Sequence, residues 1–277
     1  SVHDRDCLKG FGAAFGPPFF VDTGPPNFEP AVMYTHSTDA GWISRTHRAI
    51  SPFRLEKPET LSDAVDAISA AGDVTIIAGG IDLVRRMRGG DTWNAVVDIS
   101  GLAELRAIED GGDKIRIGAL ATHWDIETDS VLASKMPDFQ MAWKTIGNIR
   151  IRMTGTVGGN LMAAEPGYDG RVLLAAAGGS LVFLTQRGEV TVPADAGPEN
   201  IPPHALLTGI EVPARGAGIA FDRSLKPVVS VAVGLDGERA RVSVGCAYDH
   251  PQCWSGPVEE IDDAVAAFPP EPRNNPM

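Results

Sequence analysis

Two glycine-dense turns, AGGIDL at residues 78–83 and GTVGGN at residues 155–160, constrain this chain more than any other feature. In the first, the apolar stretch VTIIA runs into a diglycine and then into a helix with Asp82 in its opening turn. Glycine there permits the tightly turned backbone that aims successive N–H groups at one point, and the helix start adds partial positive charge. The second turn is too rich in glycine for a helix. It is expected as a loop between helical stretches, with the composition of an anion-binding nest. Either turn alone is as readily a structural necessity as a ligand site. Two of them, about eighty residues apart in one domain, are better explained by a single diphosphate held from both sides.

The surrounding pattern is α+β. Thr60 and Asp63 make a capping box before LSDAVDAISA, where Leu61, Ala64, Val65 and Ile68 share a face. Buried or alternating strands are expected at 74–78, 95–99 and 114–120, and helices from about 81 and over 123–134, 137–148 and 170–177. SLVFLT and EVTVP form a strand pair around Arg187 and Gly188. From Ile219 the pattern becomes antiparallel, with VVSVAVGL and ARVSVGCAY flanking Asp236 and Gly237, then a short helix over 258–267. The expected organisation is an irregular arm over 1–51, a main domain over 52–200 and a small antiparallel α+β domain over 201–277. The arm is crowded with Gly, Pro and Phe; within it, GFGAAFG lacks the preceding strand that a dinucleotide-binding βαβ unit requires.

Composition narrows the function. With 36 acidic against 24 basic residues the net charge is −12, which argues against nucleic acid or an anionic membrane as the main partner. The longest apolar stretch, from Val172 to Leu184, is shorter than the roughly 20 residues that cross a bilayer. The opening SVHDRDCLKG has neither the basic nor the apolar region of a secretory signal, and three cysteines are too few for a disulfide framework. A cytoplasmic location is expected.

Several residues read as structural. His123 stands at a strand-to-helix junction, where capping or packing accounts for it better than catalysis. Cys246, His250 and Cys253 supply only three ligands at a spacing unlike common zinc sites, so no metal is expected there. The arginines of RRMR at 85–88 give a helix its solvated face. No nucleophile–base constellation assembles, so chemistry by a protein side chain is not indicated.

Over residues 53–169 the order of motifs resembles the FAD-binding (medium) subunit of the molybdenum hydroxylases, of the xanthine dehydrogenase and carbon monoxide dehydrogenase type. The matching run is P-x-T-L-x-x-A at 58–64, AGGIDL, IGALATH at 117–123, IGNIRIRMTGTVGGN at 146–160, and EPGYD ending at Asp169. The resemblance implies a two-part FAD-binding domain of the vanillyl-alcohol-oxidase-like (PCMH-type) fold, followed by a small antiparallel-sheet domain. It implies that Ala78, Gly79, Gly80, Ile81, Asp82 and Leu83 line one pyrophosphate loop and that Thr156, Val157, Gly158, Gly159 and Asn160 line the other. Asp169 would bind a ribitol or ribose hydroxyl, and Leu207 would lie near the flavin. It further implies a large molybdenum-cofactor subunit and a small 2Fe–2S subunit as partners, in a dimer of heterotrimers. Electrons would pass from the clusters through FAD to an external acceptor. Ile81, Met153 and Glu165 depart from the residues usual in the family. Two other readings stand beside this one: a structural subunit that has lost productive flavin binding, and a stand-alone FAD oxidase.

Overall fold

Parallel pairing opens the architecture. The computed structural model describes residues 49–70, 72–163, 165–214, 218–224 and 228–269; the Gly/Pro/Phe arm with GFGAAFG and Cys7 lies outside them. Strands β1 (Arg54–Glu56), β2 (Val74–Ile77) and β3 (Ala95–Asp98) form a three-stranded parallel sheet in the order β1-β3-β2. Helix α1 (Leu61–Ala70) begins where Thr60 Oγ1 accepts from the Asp63 amide at 3.1 Å and donates to its carboxylate at 2.7 Å. Its buried face of Ala64, Val65 and Ile68 packs with Val97, Leu105, Leu120 and Leu206. Helix α2 (Ile81–Gly89) buries Leu83 and Met87 against Val96, the apolar minority of a helix otherwise rich in arginine.

A five-stranded antiparallel sheet follows, built from β4 (Ile108–Asp110), β5 (Lys114–Gly118), β6 (Ser180–Thr185), β7 (Gly188–Pro193) and β8 (Leu206–Pro213), in the order β4-β5-β8-β6-β7. Strand β8 lies in the middle, pairing Ile117 with Ile210 on one side and Leu181 with Ile210 on the other. A boundary at residue 200 would therefore cut a strand from its own sheet. Its partners sit far away in sequence, so the local pattern could not reveal the pairing.

Between β5 and β6 runs a layer of short helices: α3 (His123–Thr128), α4 (Ser130–Lys135), α5 (Pro137–Trp143), α6 (Ile149–Arg152), α7 (Val157–Met162) and α8 (Gly170–Ala176). The helix expected over 123–134 breaks at Asp129, which is extended (ψ 130°) and caps α4 by accepting from the Leu132 amide at 2.8 Å. The one expected over 137–148 ends at Trp143, before Gly147 with its φ of 66°.

Four antiparallel strands complete the fold in the order β12-β11-β10-β9: β9 (Gly218–Arg223), β10 (Ser230–Asp236), β11 (Arg239–Gly245) and β12 (Gln252–Pro257), followed by α9 (Ile261–Ala267). Helix α8 packs on β10 and β11 at very short range, because a Cβ on Gly234 would overlap the Ala176 carbonyl and one on Gly245 would overlap Val172. Ile219 and Ala232 thus join the core that holds Ile115, Phe139, Trp143, Leu173 and Phe183. The antiparallel tail shares the main core; the helices are its common layer.

Candidate functional site

At the end of β2 the chain reverses into α2 through Gly79 and Gly80. Gly80 has φ 75° and ψ −2°, the left-handed region that costs a non-glycine residue about 1–2 kcal/mol, and it provides no side-chain cap. A Cβ at Gly79 would overlap the carbonyl oxygen of Thr154 and stand 3.4 Å from Thr156 Cγ2. Glycine at this position is what allows the two turns to touch. The amides of Gly80, Ile81, Asp82 and Leu83 find no acceptor among the described residues, while the Val84 amide already donates to the Gly80 carbonyl at 3.1 Å. An uncapped helix start of this kind carries about half a unit of positive charge.

The second turn differs from its expected form. GTVGGN is not an open loop: its Val-Gly-Gly-Asn is the first turn of α7, capped by Thr156, whose Oγ1 accepts from the Gly159 amide at 3.1 Å. The other amides are also spent internally. Val157 donates to Ala121 O at 2.9 Å, Gly158 to Ala119 O at 2.8 Å and Asn160 to Thr156 O at 3.0 Å. The cause is the segment just after β5, whose carbonyls dock on α7; a Cβ on Gly158 would stand 3.0 Å from both Cβ and O of Ala119. The donors left at this turn among the described residues are the Thr156 amide and hydroxyl and the Asn160 side-chain amide, whose Oδ1 accepts from the Gly170 amide at 3.1 Å.

Both turns border one cleft of about 350 Å³, lined also by Ile99, Ile146, Ile151, Tyr168, Leu206 and Arg223. Of the residues singled out in the sequence, Ala78, Gly79, Gly80, Ile81, Asp82, Leu83, Thr156, Gly158, Gly159, Asn160, Asp169 and Leu207 line it. Val157 does not: its side chain is fully buried in the core. Leu206 and Leu207 both border the cleft from adjacent positions on β8 while packing into different clusters, Leu206 with the face of α1 and Leu207 with the core of the helical layer.

Asp169 is 2% exposed and is not a free carboxylate. Its Oδ2 accepts from Arg223 Nη1 at 2.8 Å, and the Cys246 thiol lies 3.9 Å from its Oδ1. Cys253 lies apart from this, beside Ser243 Oγ at 3.4 Å. At the rim, Arg85 bridges Asp82 at 2.6 Å and Glu165 at 3.3 Å, and the Tyr168 hydroxyl donates to Asp82 at 3.2 Å. Burial, then the charge of Asp82, raises the Tyr168 phenol above its usual range. Of the RRMR arginines, Arg86 lines the cleft and stacks 4.9 Å above the Trp93 ring.

Arg223, Tyr168 and His123 are cleft residues that the sequence did not single out for the site. His123 is 2% exposed; its Nδ1 accepts from the Trp143 indole N–H at 3.0 Å, and burial, followed by the nearby Arg152 charge, lowers its pKa to about 4. Thr122, not His123, is the cap of α3.

Residues 51–215 match the family model described as the FAD binding domain in molybdopterin dehydrogenase. The nicotine 6-hydroxylase medium subunit of Paenarthrobacter nicotinovorans is 29% identical over 202 residues, covering 69% of this chain and 71% of that protein. The carbon monoxide dehydrogenase medium chain of Afipia carboxidovorans is 29% identical over 251 residues, covering 77% and 84%. Among solved structures, carbon monoxide dehydrogenase from Hydrogenophaga pseudoflava superposes with a TM-score of 0.72 at 23% identity, over 82% of this chain and 90% of that one.

Proposed function

The chain belongs to the family of FAD-binding domains in molybdopterin dehydrogenases, and from that premise we propose that it is the flavin-carrying medium subunit of a molybdenum hydroxylase complex. In this reading the substrate is oxidised on a large molybdenum-cofactor subunit. Electrons arrive through a small 2Fe–2S subunit and leave this chain for an external acceptor. FAD, when bound, supplies the exchange between one-electron and two-electron carriers.

The observation that carries the reading is the pairing of an uncapped helix start with side-chain donors across one cleft. The free amides of Gly80, Ile81, Asp82 and Leu83 suit one phosphate, and the Thr156 hydroxyl and Asn160 amide suit the other. Asp169 Oδ1, beside the Cys246 thiol, is left for a sugar hydroxyl while Arg223 holds the other oxygen. Ile99, Ile146, Ile151, Leu206 and Leu207 supply apolar contact for a ring and keep water from it.

The visible spectrum of the full chain, purified with its co-expressed partners and supplied with FAD, tests the reading. Flavin absorbance near one per chain is expected, and its complete absence would contradict the proposal. Gly159→Asp places a carboxylate beside Thr156 at the phosphate side of the cleft; loss of flavin with an unchanged circular dichroism spectrum is expected. The internally satisfied amides of α7 favour a second reading, a subunit that keeps the fold for assembly without productive flavin binding. Flavin stoichiometry on the whole complex separates the two.

A further inference from the structure

His123 is a polar side chain of the cleft whose chemistry the proposed function leaves unused, and its geometry is tightly determined. It opens α3 directly after the capping box in which Thr122 and Asp125 exchange hydrogen bonds, so its backbone position is fixed. Its own amide donates to the Gly155 carbonyl at 3.1 Å, which ties it to the second turn. The ring leans on Trp143 with centroids 5.9 Å apart, and the indole N–H donates to Nδ1. An imidazole that accepts at Nδ1 and stays neutral carries its proton on Nε2.

That Nε2–H has no acceptor among the described residues and is not one of their wholly buried unpaired atoms, so this edge of the ring is open to the cleft although the rest of the side chain is buried. The ring borders the cleft at Gly155, where a Cβ would stand 3.1 Å from Cδ2 and 3.4 Å from Nε2. The missing side chain at 155 leaves this edge of the ring uncovered. A donor held in one orientation and open to a cleft is satisfied by water or by a group bound there, so a bound acceptor can take the place of that water.

We propose that His123 is a fixed, uncharged hydrogen-bond donor to the isoalloxazine ring of bound FAD. The inference rests on the flavin reading above and adds a ring-recognition residue to it. A neutral donor in a cleft lined also by Ile146, Ile151 and Leu207 matches the neutral ring acceptors better than a phosphate, whose charge the α2 amides answer. The burial that keeps the imidazole neutral also keeps the donor constant across physiological pH. Trp143 is a positioning residue: it touches no ligand but selects the tautomer.

The test compares the full-length wild type, His123→Phe and His123→Gln, each loaded with FAD, by flavin affinity and midpoint potential. Phe removes the donor at similar volume, whereas Gln restores an N–H at similar reach. The expected result is FAD binding weakened about tenfold in H123F, the worth of one hydrogen bond, together with a shifted potential, and recovery of both in H123Q. Weakened binding with an unchanged potential would overturn the assignment to the ring. Unchanged affinity and potential would overturn the donor role. A wild type that takes up no FAD would overturn the proposed function itself and this inference with it. Nitrogen-15 spectra of labelled wild type need no variant. An Nε2–H tautomer whose Nε2 signal moves on adding FAD supports the assignment, and an Nδ1–H tautomer or an immobile signal contradicts it.

Discussion

His123 also sets a pH dependence for folding. Its pKa is about 4 in the folded chain against 6.5 for the free side chain, so the unfolded state binds the proton first as pH falls. Stability conferred by the neutral ring is complete above pH 6.5 and is lost between 6.5 and about 4. At about 1.36 kcal/mol per unit this amounts to about 3 kcal/mol. Urea titrations at pH 7.5 and 4.5 should show that fall for the wild type and a clearly smaller one for H123Q; equal slopes would contradict it. The sequence offered a histidine at a strand-to-helix junction, and the packing role it suggested is real. Its partner, Trp143, lies 20 residues on and two helices away, beyond any local pattern. Asp169 taught the same lesson: its cation, Arg223, is 54 residues distant on the last sheet. Gly79 was legible as a turn residue, but its contact with Thr154 was not. Gly79→Ala should push the turns apart and abolish FAD uptake while leaving a folded chain, as flavin absorbance and circular dichroism would report.

Among the elements, α2 was visible because a strand, a diglycine and an arginine-rich amphipathic pattern follow one another. Its left-handed entry gives a clean prediction. Gly80→Ala meets no clash closer than 3.6 Å but must adopt φ near 75°, costing about 1–2 kcal/mol, or about 3 °C in Tm for a chain of this size. Helix α7 was missed because two adjacent glycines argue against helix by propensity. Carbonyl acceptors at Ala119 and Ala121 and the Thr156 cap outweigh that local cost. The short helix α6 is pinned by charge: Arg152 pairs with Glu127 at 2.8 Å and donates to the carbonyls of Lys144 and Gly147. Glu127→Gln would leave that largely buried guanidinium uncompensated, for a loss of about 3 kcal/mol in a urea titration. Retained stability would show that the pair is idle.

On the scale of the whole molecule, the α+β class and the order of the motifs were readable because strand and helix periodicities are local. The seam was not. Strand β8 belongs to a sheet whose other members precede it by up to a hundred residues, and the last four strands close over α8 and share its core. The cleft exists because those distant pieces converge: α2 from the parallel sheet, α7 from the helical layer, Leu207 from the central strand and Arg223 from the last sheet. The proposed partner subunits would meet a chain whose described residues contain no helix long and apolar enough to cross a membrane.

In the proposed site the α2 amides, the Thr156 hydroxyl and the Asn160 amide hold linked phosphates while apolar side chains take the ring. Equilibrium titration of the full chain with FAD and with riboflavin, which has the ring but no phosphate, tests it most directly. One FAD per chain, with riboflavin at least about 100-fold weaker for want of charge-assisted hydrogen bonds, is the predicted result. Equal affinity for the two, or no uptake of FAD, would contradict it.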